Sequence, residues 1–537
     1  MRRLAFATCL AAALCAASAG AGTYTWNDPA GGMFSDAGKW TPGGGPPGGS
    51  DVAVFDLAAT YQVNFTAAAA TSQAQFIAGA PGAAVTLALA GNTWTSGSVL
   101  SGYGVADNDL TVSGGTFTAS GHFIHGTNGG TGNDLLITGA GSAVKTVSFD
   151  VSIGYWSDQP LLTGDNNKVT VSNGGLLAPA RTLYVGGPAT SAASGNELLV
   201  TGLNSTVAPN SGSASILVGG VSSVLRILDR AQVTVVGTVT GTTPTVIIDN
   251  ATWAPASGSI VMGGTGSVVT IDNGSVVTCS EVQLGSGSGG GGTYSVSGGS
   301  VVTGIGHARL GYGGSDGNGI TVAGTGTLLK TDSYDIGVGN YNGQASNIAN
   351  NTSVTASAGG EVRAGRTMYI GSGASTGNAV IVTGSPSLAS AGTSIEVGGS
   401  GGGNALRVQS GGTASAPNVY LRGSGNEITV DAATLTASSQ IWVEGTGNTL
   451  TASNGAAVDP GSLWFARGSG VAGNTLEVTG GAVLTAAGHA IFGYQGASGN
   501  TVTVSGTGST ITTSSWDIGV GNYAGYVGNN ADNTDVT

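Results

Sequence analysis

The sequence is poor in charged residues, aromatic residues and cysteine. Of its 537 residues, 8% are charged and 6% are aromatic. Of its three cysteines, Cys9 and Cys15 lie in the apolar N-terminal segment, which leaves Cys279 in the rest of the chain. A lone cysteine cannot form an internal disulfide. We therefore expect Cys279 to be a small, buried apolar residue.

The chain also lacks the charge balance and the periods of several protein classes. Acidic residues outnumber basic ones by 28 to 15, and this acidity argues against nucleic acid or an anionic membrane as a partner. The 99 glycines follow no strict G-X-Y triplet, which excludes collagen. A hydrophobic fraction of 40% argues against disorder. Runs of Val and Thr broken by Gly and Asn predict strands and turns.

Residues 1–19 have the pattern of a secretory signal peptide. Arg2 and Arg3 precede an apolar segment, residues 4–17, and Ala17-Ser18-Ala19 offers a cleavage site with small residues. The apolar segment is too short to span a membrane. The sequence therefore predicts export, with an extracellular or outer-cell-surface location.

A short repeated unit organises most of the remaining chain. The stretch Asn500–Gly508 reads NTVTVSGTG, and variants of it recur at unequal steps from Leu110 onwards. The lengths of these steps fit one turn, or rung, of a β-solenoid. Val502 and Val504 should point inward, the glycines should adopt positive φ, and the rung-start asparagines should tolerate the same corners and stack as ladders. The predicted fold class is all-β, an elongated β-solenoid, taken as a right-handed parallel β-helix.

Seven rungs form a larger cassette that recurs along the chain. Val112, Val296 and Val478 occupy equivalent positions in successive cassettes. The segment TDSYDIGVGNYNG at Thr331 matches TSSWDIGVGNYAG at Thr513. The longest step within a cassette predicts one loop per cassette at a corner. The third cassette stops within a strand, so we expect the chain to be part of a longer protein.

These patterns predict four segments. They are a signal peptide at 1–19, an N-terminal cap at 20–66, irregular first rungs at 67–109, and repeats at 110–537, with cassettes at 110–293, 294–475 and 476–537. A cap is expected because the first open edge of a solenoid would otherwise pair with other chains. A carbohydrate-stacking platform is the alternative for its aromatic residues, Trp26, Phe34, Trp40, Phe55, Tyr61 and Phe65.

Three kinds of polar residue recur once per cassette. The aspartates, each preceded by an aromatic residue, are expected many rungs apart, too far for paired-carboxylate chemistry, and should cap corners or turns. The histidines form neither a metal cluster nor a triad and should be polar corner residues. The arginines should neutralise a neighbouring acid. The residues are Asp150, Asp335 and Asp517; His122, His307 and His489, with His125 in addition; and Arg181 and Arg366.

No catalytic, cofactor-binding or metal-binding residue is predicted, and no cofactor. GGTGNDLLI, Gly129–Ile137, matches the calcium-binding nonapeptide G-G-x-G-x-D-x-U-x, with Asp134 as the ligand. That site needs tandem copies, and the equivalent segments lack the aspartate. A solenoid enzyme of the pectin-degrading type would need Asp, Lys or Arg on adjacent rungs, and no such cluster is visible in the sequence.

The opening motif W-N…G-x-F-S-D-A-G-K-W…P-P-G-G-S-D-V-A-V-F is followed by L-x-V-x-G-G-x-x-x-A and V-G-G-x-x-x-x-G-N. This pattern resembles large bacterial surface proteins with autotransporter- and PEP-CTERM-associated β-strand repeats. The resemblance implies a passenger-like, secreted or surface-bound β-helix with a structural or adhesive role and no catalysis. Its partners would be surface glycans, a host or neighbouring-cell surface, or further copies, without nucleic acid or a small-molecule cofactor. The alternative is a carbohydrate-active β-helix enzyme, a polysaccharide lyase or glycosidase.

Overall fold

A computed structural model describes residues 21–537, except 79, 81, 288, 341–347 and 522–533. The predicted signal peptide lies outside the described residues. The chain divides into an N-terminal unit, up to Val235, and a C-terminal unit, from Val236. Among the described residues the regular structure is β-strand apart from one 3₁₀ turn, Ala37–Lys39. None of these residues forms a helix long and apolar enough to cross a membrane.

Both units are built from rungs of three short strands. In some rungs the second and third join into one longer strand, as in Thr413–Leu421, and its C-terminal half takes the place of the third strand. Each strand pairs in parallel with the corresponding strand of the next rung, as Asp134–Thr138 pairs with Lys168–Ser172 in full register. Along such a strand, residues alternate between a buried and a partly exposed side chain. This alternation is the period of two expected of a strand with one face in a core. The predicted all-β solenoid fold is confirmed.

The N-terminal unit begins with the strands of the cap and continues with rungs. Its strands are Thr23–Trp26, Gly32–Met33, Trp40–Thr41, Val52–Phe55, Thr60–Asn64, Ala69–Phe76, Ala83–Ala88, Thr93–Ser101, Asn108–Ser113, Thr116–Ala119, Phe123–His125, Asp134–Thr138, Ala143–Thr146, Val151–Ile153, Lys168–Ser172, Leu176–Ala178, Thr182–Val185, Glu197–Thr201, Thr206–Val207, Ser215–Val218, Val224–Leu228 and Gln232–Val233.

The C-terminal unit consists of rungs throughout. Its strands are Val236–Val239, Thr245–Asp249, Thr252–Trp253, Ser259–Gly263, Val268–Asp272, Val276–Cys279, Glu281–Ser286, Thr293–Val296, Val301–Gly304, Ala308–Tyr312, Gly319–Ala323, Leu328–Thr331, Ile336–Val338, Ser353–Ser357, Glu361–Ala364, Thr367–Ile370, Ala379–Thr383, Leu388–Ala391, Ser394–Val397, Ala405–Gln409, Thr413–Leu421, Glu427–Asp431, Thr434–Val443, Thr449–Ser453, Ala457–Pro460, Leu463–Arg467, Thr475–Thr479, Val483–Ala486, Ala490–Tyr494, Thr501–Ser505, Thr510–Thr513, Ile518–Val520 and Asp535–Val536.

The register of the first strand in each rung follows the spacing read from the sequence. In the N-terminal unit, Val112 pairs with Ile137 and Ile137 with Val171. In the C-terminal unit the same position continues from Val296 to Val478 over the predicted steps. The inward apolar residue therefore predicted the register because a shift of one residue would turn it out to solvent.

The aromatic residues near the N-terminus form a buried cluster. Trp26 and Trp40 are 0% and 1% exposed, and their ring centroids lie 5.1 Å apart in an edge-to-face arrangement. Trp94 stacks on Phe117 of the next rung with centroids 4.6 Å apart. Rings enclosed in this way cover the first rungs and cannot receive a sugar. The predicted cap is confirmed, and the carbohydrate platform at these residues is wrong.

Regular parallel pairing starts closer to the N-terminus than the predicted segments suggest. Thr60–Asn64, in the segment assigned to the cap, pairs in parallel with Ala83–Ala88. Ala83–Ala88 then pairs with Asn108–Ser113 along its whole length without a shift. The rungs of segment 67–109 are therefore as regular in this strand as the later ones.

Buried asparagines form ladders at the start of the first strand. In the C-terminal unit, Oδ1 of each one from Asn404 onwards accepts the backbone N–H of the asparagine one rung earlier at 2.8–3.0 Å, and Asn378 Oδ1 accepts that of Thr352 at 3.0 Å. The stacking predicted for rung-start asparagines is confirmed, but not their role at positive-φ corners. Among the described residues, other asparagines such as Asn273 and Asn454 adopt positive φ. The ladder residues are Asn378, Asn404, Asn426, Asn448, Asn474 and Asn500, with Asn108, Asn133, Asn167 and Asn196 in the N-terminal unit.

The ladder explains one set of glycines. Gly371 ends a third strand with φ +71°, and a methyl group there would overlap the Asn404 amide. Gly126 has the same relation to Asn167 in the N-terminal unit. Glycine is needed at these positions for two reasons: the positive φ, and the close approach of the buried amide.

The longest step, from Ile137 to Val171, forms a loop in the N-terminal unit, as predicted. Residues 154–167 connect a third strand to the next first strand. Trp156 in this loop is buried against Leu100 and Ile124, so the loop is fixed on the outside of earlier rungs. In the C-terminal unit, the equivalent loop includes residues 341–347, which lie outside the described residues.

Candidate functional site

The recurring aspartate of the C-terminal unit is a buried capping residue. Asp335 is 0% exposed and precedes the strand Ile336–Val338. Its Oδ1 accepts hydrogen bonds from Thr367 N at 3.0 Å and from Arg366 Nε at 2.7 Å. Arg366 Nη2 bonds Oδ2, which makes the pair bidentate. The predicted capping role of Asp335 and the predicted neutralising role of Arg366 are both confirmed.

The recurring histidine lies one rung before this aspartate. His307 Nδ1 is 3.8 Å from Asp335 Oδ2, and the imidazole packs on Tyr334 with ring centroids 4.8 Å apart. Burial lowers the pKa of His307, although the charge of Asp335 acts in the opposite direction. The histidine, the aromatic-aspartate pair and the arginine thus meet on three consecutive rungs. The sequence predicted that these residues lie on corners, but it did not predict that they contact each other.

The N-terminal unit repeats this arrangement with looser contacts. Asp150 Oδ1 accepts the Thr182 N–H at 2.9 Å, but Arg181 Nε lies 3.9 Å away. Ser157 Oγ, from the long loop, donates to Asp150 Oδ2 at 3.0 Å. The predicted capping role of Asp150 is confirmed. The Asp150 carboxylate is 3% exposed and its oxygens already accept hydrogen bonds, so this aspartate stabilises the rungs.

The histidines of the other two copies pack on aromatic rings in the same way. His122 lies 4.7 Å from Phe149, and His489 lies 5.1 Å from Trp516, between ring centroids. His122 Nε2 is also 2.9 Å from Asp158 Oδ2, without the alignment of a hydrogen bond. Each histidine therefore covers the ring of the following rung, a structural contact that repeats with the cassette.

His125, the one histidine outside the cassette pattern, is a core residue. It is 0% exposed; its Nδ1 lies 3.1 Å from Ser101 Oγ and its Nε2 lies 3.0 Å from the Asn133 carbonyl oxygen. Both ring nitrogens are therefore occupied by hydrogen bonds inside the solenoid. This position differs from the polar corner that the sequence suggested.

We expect His125 to make the N-terminal unit less stable in acid. Burial lowers the pKa of His125 to about 4, whereas the unfolded chain titrates near 6.5. Between these values the unfolded state binds a proton that the folded state excludes, so stability falls as pH decreases through this window. The full loss should be about 3 kcal/mol. Urea unfolding at pH 7 and pH 4.5 measures it.

His125→Gln should remove this part of the pH dependence, because glutamine does not titrate. His489→Gln, at a half-buried position, is the matched control and should retain it. An unchanged pH dependence in His125→Gln would show that other groups cause the loss.

The calcium motif lies at a corner and the start of a first strand. Asp134 is exposed, and its neighbours on the adjacent rungs are Asp109 and Lys168. Among the described residues, no group of three or more His, Cys, Asp or Glu is arranged to hold a metal ion. The aspartate of the motif therefore faces one acid and one base.

The pairing of the first strands in the N-terminal unit aligns a row of charged residues that was not predicted from the sequence. Asp109, Asp134, Lys168 and Glu197 occupy the same position on four consecutive rungs. Arg226 Nε lies 3.0 Å from Glu197 Oε1 on the following rung. Partial loss of hydration raises the pKa of both Asp109 and Asp134, although the Asp134 side chain remains exposed and the charge of Lys168 acts to lower its pKa. The prediction that no acids and bases lie on adjacent rungs is wrong for this strand. Each charged residue lies three residues before the inward apolar position, and only the apolar position was followed along the sequence.

Cys279 is buried, as predicted, and its Sγ lies 3.1 Å from the Glu281 carbonyl oxygen. Burial raises the pKa of the thiol to about 11. A thiol that stays protonated at neutral pH is a poor nucleophile and metal ligand.

A row of large side chains, here named the aromatic strip, lies on the outer face of the third strands in the C-terminal unit. Its members face each other in register on five consecutive rungs: Tyr369, Glu396, Tyr420, Trp442 and Trp464. All four aromatic side chains are half-buried. The centroids of Tyr420 and Trp442 are 5.5 Å apart, with the rings nearly perpendicular.

Two arginines lie on the rings of the aromatic strip. Arg422 is 4.1 Å from the Tyr420 centroid, and Arg467 is 4.3 Å from the Trp442 centroid. Arg422 also pairs with two carboxylates, at 2.7 Å from Glu396 Oε2 and 3.5 Å from Glu444 Oε2. These distances fit cation–π contacts that hold the guanidinium groups in place.

Sequence reasoning missed the aromatic strip because it followed only the inward apolar positions. The signal was present: Tyr420, Trp442 and Trp464 are equally spaced, and their spacing is the rung step in this part of the chain. Aromatic residues that point outward and recur at the rung step lie next to each other in a row on the surface. Tyr369 and Glu396 could not be found in this way because the steps around them differ.

Comparison with known proteins gave no match for this chain. No family model matches it, and neither a curated protein nor a solved structure does.

Proposed function

We propose that this protein is an exported repeat protein of the cell surface with a structural and adhesive role. The observation that supports this proposal most is the outer face of the first strands in the C-terminal unit. Seven of the ten in-register positions from Thr270 to Thr503 carry a hydroxyl: Thr270, Ser295, Thr321, Thr355, Thr429, Thr451 and Thr503.

A face of this kind suits display and contact better than catalysis. Hydroxyl groups donate and accept hydrogen bonds but do not titrate near neutral pH, so they cannot act as general acids or bases there. These hydroxyl groups repeat at about 4.8 Å per rung. Many weak contacts made at once by such a row would give strong overall adhesion. The buried asparagine ladder keeps the spacing of these contacts fixed.

Export and adhesion can be tested together. The chain, with its N-terminal residues, is produced in a Gram-negative bacterium; the cells are fractionated and the mature N-terminus is sequenced. We expect cleavage after Ala19 and protein outside the cytoplasm, whereas substituting Glu for Arg2 and Arg3 should block export. Beads coated with the purified protein should adhere to bacterial cells more than albumin-coated beads. Uncleaved protein in the cytoplasm, or no adhesion, would contradict the proposal.

A second candidate function is a carbohydrate-active enzyme, favoured by the row of charged residues in the N-terminal unit. Asp109 and Asp134 are carboxylates on adjacent rungs with raised pKa values, and Lys168 lies beside them. Paired carboxylates are the groups that glycoside hydrolysis needs. Release of reducing sugar or of unsaturated products from a polysaccharide panel, abolished in both Asp109→Asn and Asp134→Asn, would establish it. Absence of turnover in the unaltered protein would remove it.

A further inference from the structure

We propose that the aromatic strip is a binding site for a neutral, linear glycan that lies along the solenoid axis. The proposal rests on the adhesive function proposed above and names the ligand class of one surface. Its starting point is the exposure of the rings. Trp253 in the same unit is 0% exposed, whereas Trp442 and Trp464 are half-buried on the outer face.

The line formed by the strip favours a polymer as the ligand. Tyr369 and Trp464 are four rungs apart, which corresponds to about 19 Å at the usual strand spacing. The binding energy of a protein partner usually concentrates in a compact central patch. The strip instead has one ring on almost every rung, so its rings repeat at about the strand spacing. The sugar units of a pyranose polymer repeat at a similar distance. Axial C–H groups of a sugar ring pack on the face of an aromatic ring.

The charged groups of the strip complement sugar hydroxyls. A hydroxyl both donates and accepts hydrogen bonds. Glu396 and Glu444 supply acceptors, and Arg422 supplies donors that are oriented by its contacts with both. Arg467 has no carboxylate partner among the described residues and lies against Trp442 and Trp464. Its guanidinium group is therefore held over the face of Trp442, where a hydroxyl oxygen could accept from the outward-facing N–H groups.

The charge balance favours a neutral glycan over an acidic one. Glu396 of the strip and the adjacent Glu444 carry two negative charges, and the adjacent Arg422 and Arg467 carry two positive charges, so these four groups sum to zero. The whole chain has a formal net charge of −13, which repels a polyanion at long range. An uncharged glycan meets no such repulsion and can use both kinds of hydrogen-bonding group.

Isothermal titration of the full chain with neutral hexasaccharides tests the site. The probes are cellohexaose, laminarihexaose, mannohexaose and xylohexaose, with hexagalacturonate as the acidic counterpart. We expect at least one neutral probe to bind with a dissociation constant of about 0.1–1 mM and hexagalacturonate to bind more weakly. Trp442→Ala and Trp464→Ala should each weaken binding at least tenfold, and Trp464→Tyr, which keeps a ring, should weaken it less.

Tyr312→Ala is the matched control, because Tyr312 is a half-buried ring with Arg309 lying over it, 4.5 Å from its centroid, outside the strip. It should leave binding unchanged. Circular dichroism of each variant must show the spectrum of the unaltered protein.

Three results would overturn the glycan site: no binding of any neutral probe, binding unaffected by the strip variants, or equal or tighter binding of hexagalacturonate. Self-association that is lost in Trp464→Ala would also overturn it, in favour of a contact between copies. These results differ from a failure of the proposed function. If coated beads adhere to cells but no hexasaccharide binds, the adhesive function stands and the strip is not its glycan site.

Discussion

Replacing Asn426 by alanine should destabilise the C-terminal unit by about 3–5 kcal/mol. Asn426 Oδ1 accepts from Asn404 N at 2.9 Å and from Asn404 Nδ2 at 3.1 Å. Its own Nδ2 donates to the Arg422 carbonyl at 2.7 Å. Alanine removes these bonds and leaves the Asn404 backbone N–H buried without a partner, which costs more than an exposed bond would. Urea unfolding measures the change in free energy.

The matched control is Asn418→Ala in the same unit. The Asn418 side chain donates to the Thr393 carbonyl at 3.2 Å at an exposed site, so water can replace this bond, and the loss should stay below about 1 kcal/mol. Hydrogen exchange should also accelerate at Asn404 in the first variant but not in the second. Equal losses in the two variants would mean that the ladder contributes no more than a surface hydrogen bond.

Replacing Arg366 by alanine should destabilise the same unit by about 2–3 kcal/mol. Asp335 is fully buried and would keep the Thr367 N–H but lose the bidentate guanidinium. Removing one partner of a buried pair typically costs about 3–5 kcal/mol. The Arg366 side chain is 48% exposed, so solvent screening reduces the expected loss. Urea unfolding at pH 7 provides the measurement.

The two copies of this arrangement supply an internal comparison. Arg181 is 61% exposed and its Nε lies 3.9 Å from Asp150, so Arg181→Ala should cost less than about 1 kcal/mol. Adding Asp335→Asn to Arg366→Ala should recover part of the stability, because a neutral amide has no charge to desolvate. Similar losses from both arginine variants, or no recovery in the double variant, would refute the buried-charge explanation.

Several site assignments could be made from the sequence because a cassette repeats its chemistry. The capping role of Asp150 and Asp335, the neutralising Arg366 and the buried Cys279 each follow from a residue type at a repeated or apolar position. The assignments that failed concern neighbours across rungs. The contact of His307 with Tyr334 and Asp335 joins residues that are distant in the sequence, and only the register shows that their separation is one rung.

The sequence by itself determined the rung, its register and the cap. Alternating apolar residues can be buried in only one register, and the stretch rich in aromatic residues cannot stay in water at low cost. Tertiary structure decided which outward side chains meet on the third strands, because the connection from the first to the third strand differs in length between rungs. The aromatic strip from Tyr369 to Trp464 arose in this way, whereas the charged row from Asp109 to Glu197 keeps a fixed offset from the inward apolar residues. The apolar pattern therefore determined the alignment of the outward residues on the first strands, and only the structure aligned those on the third strands.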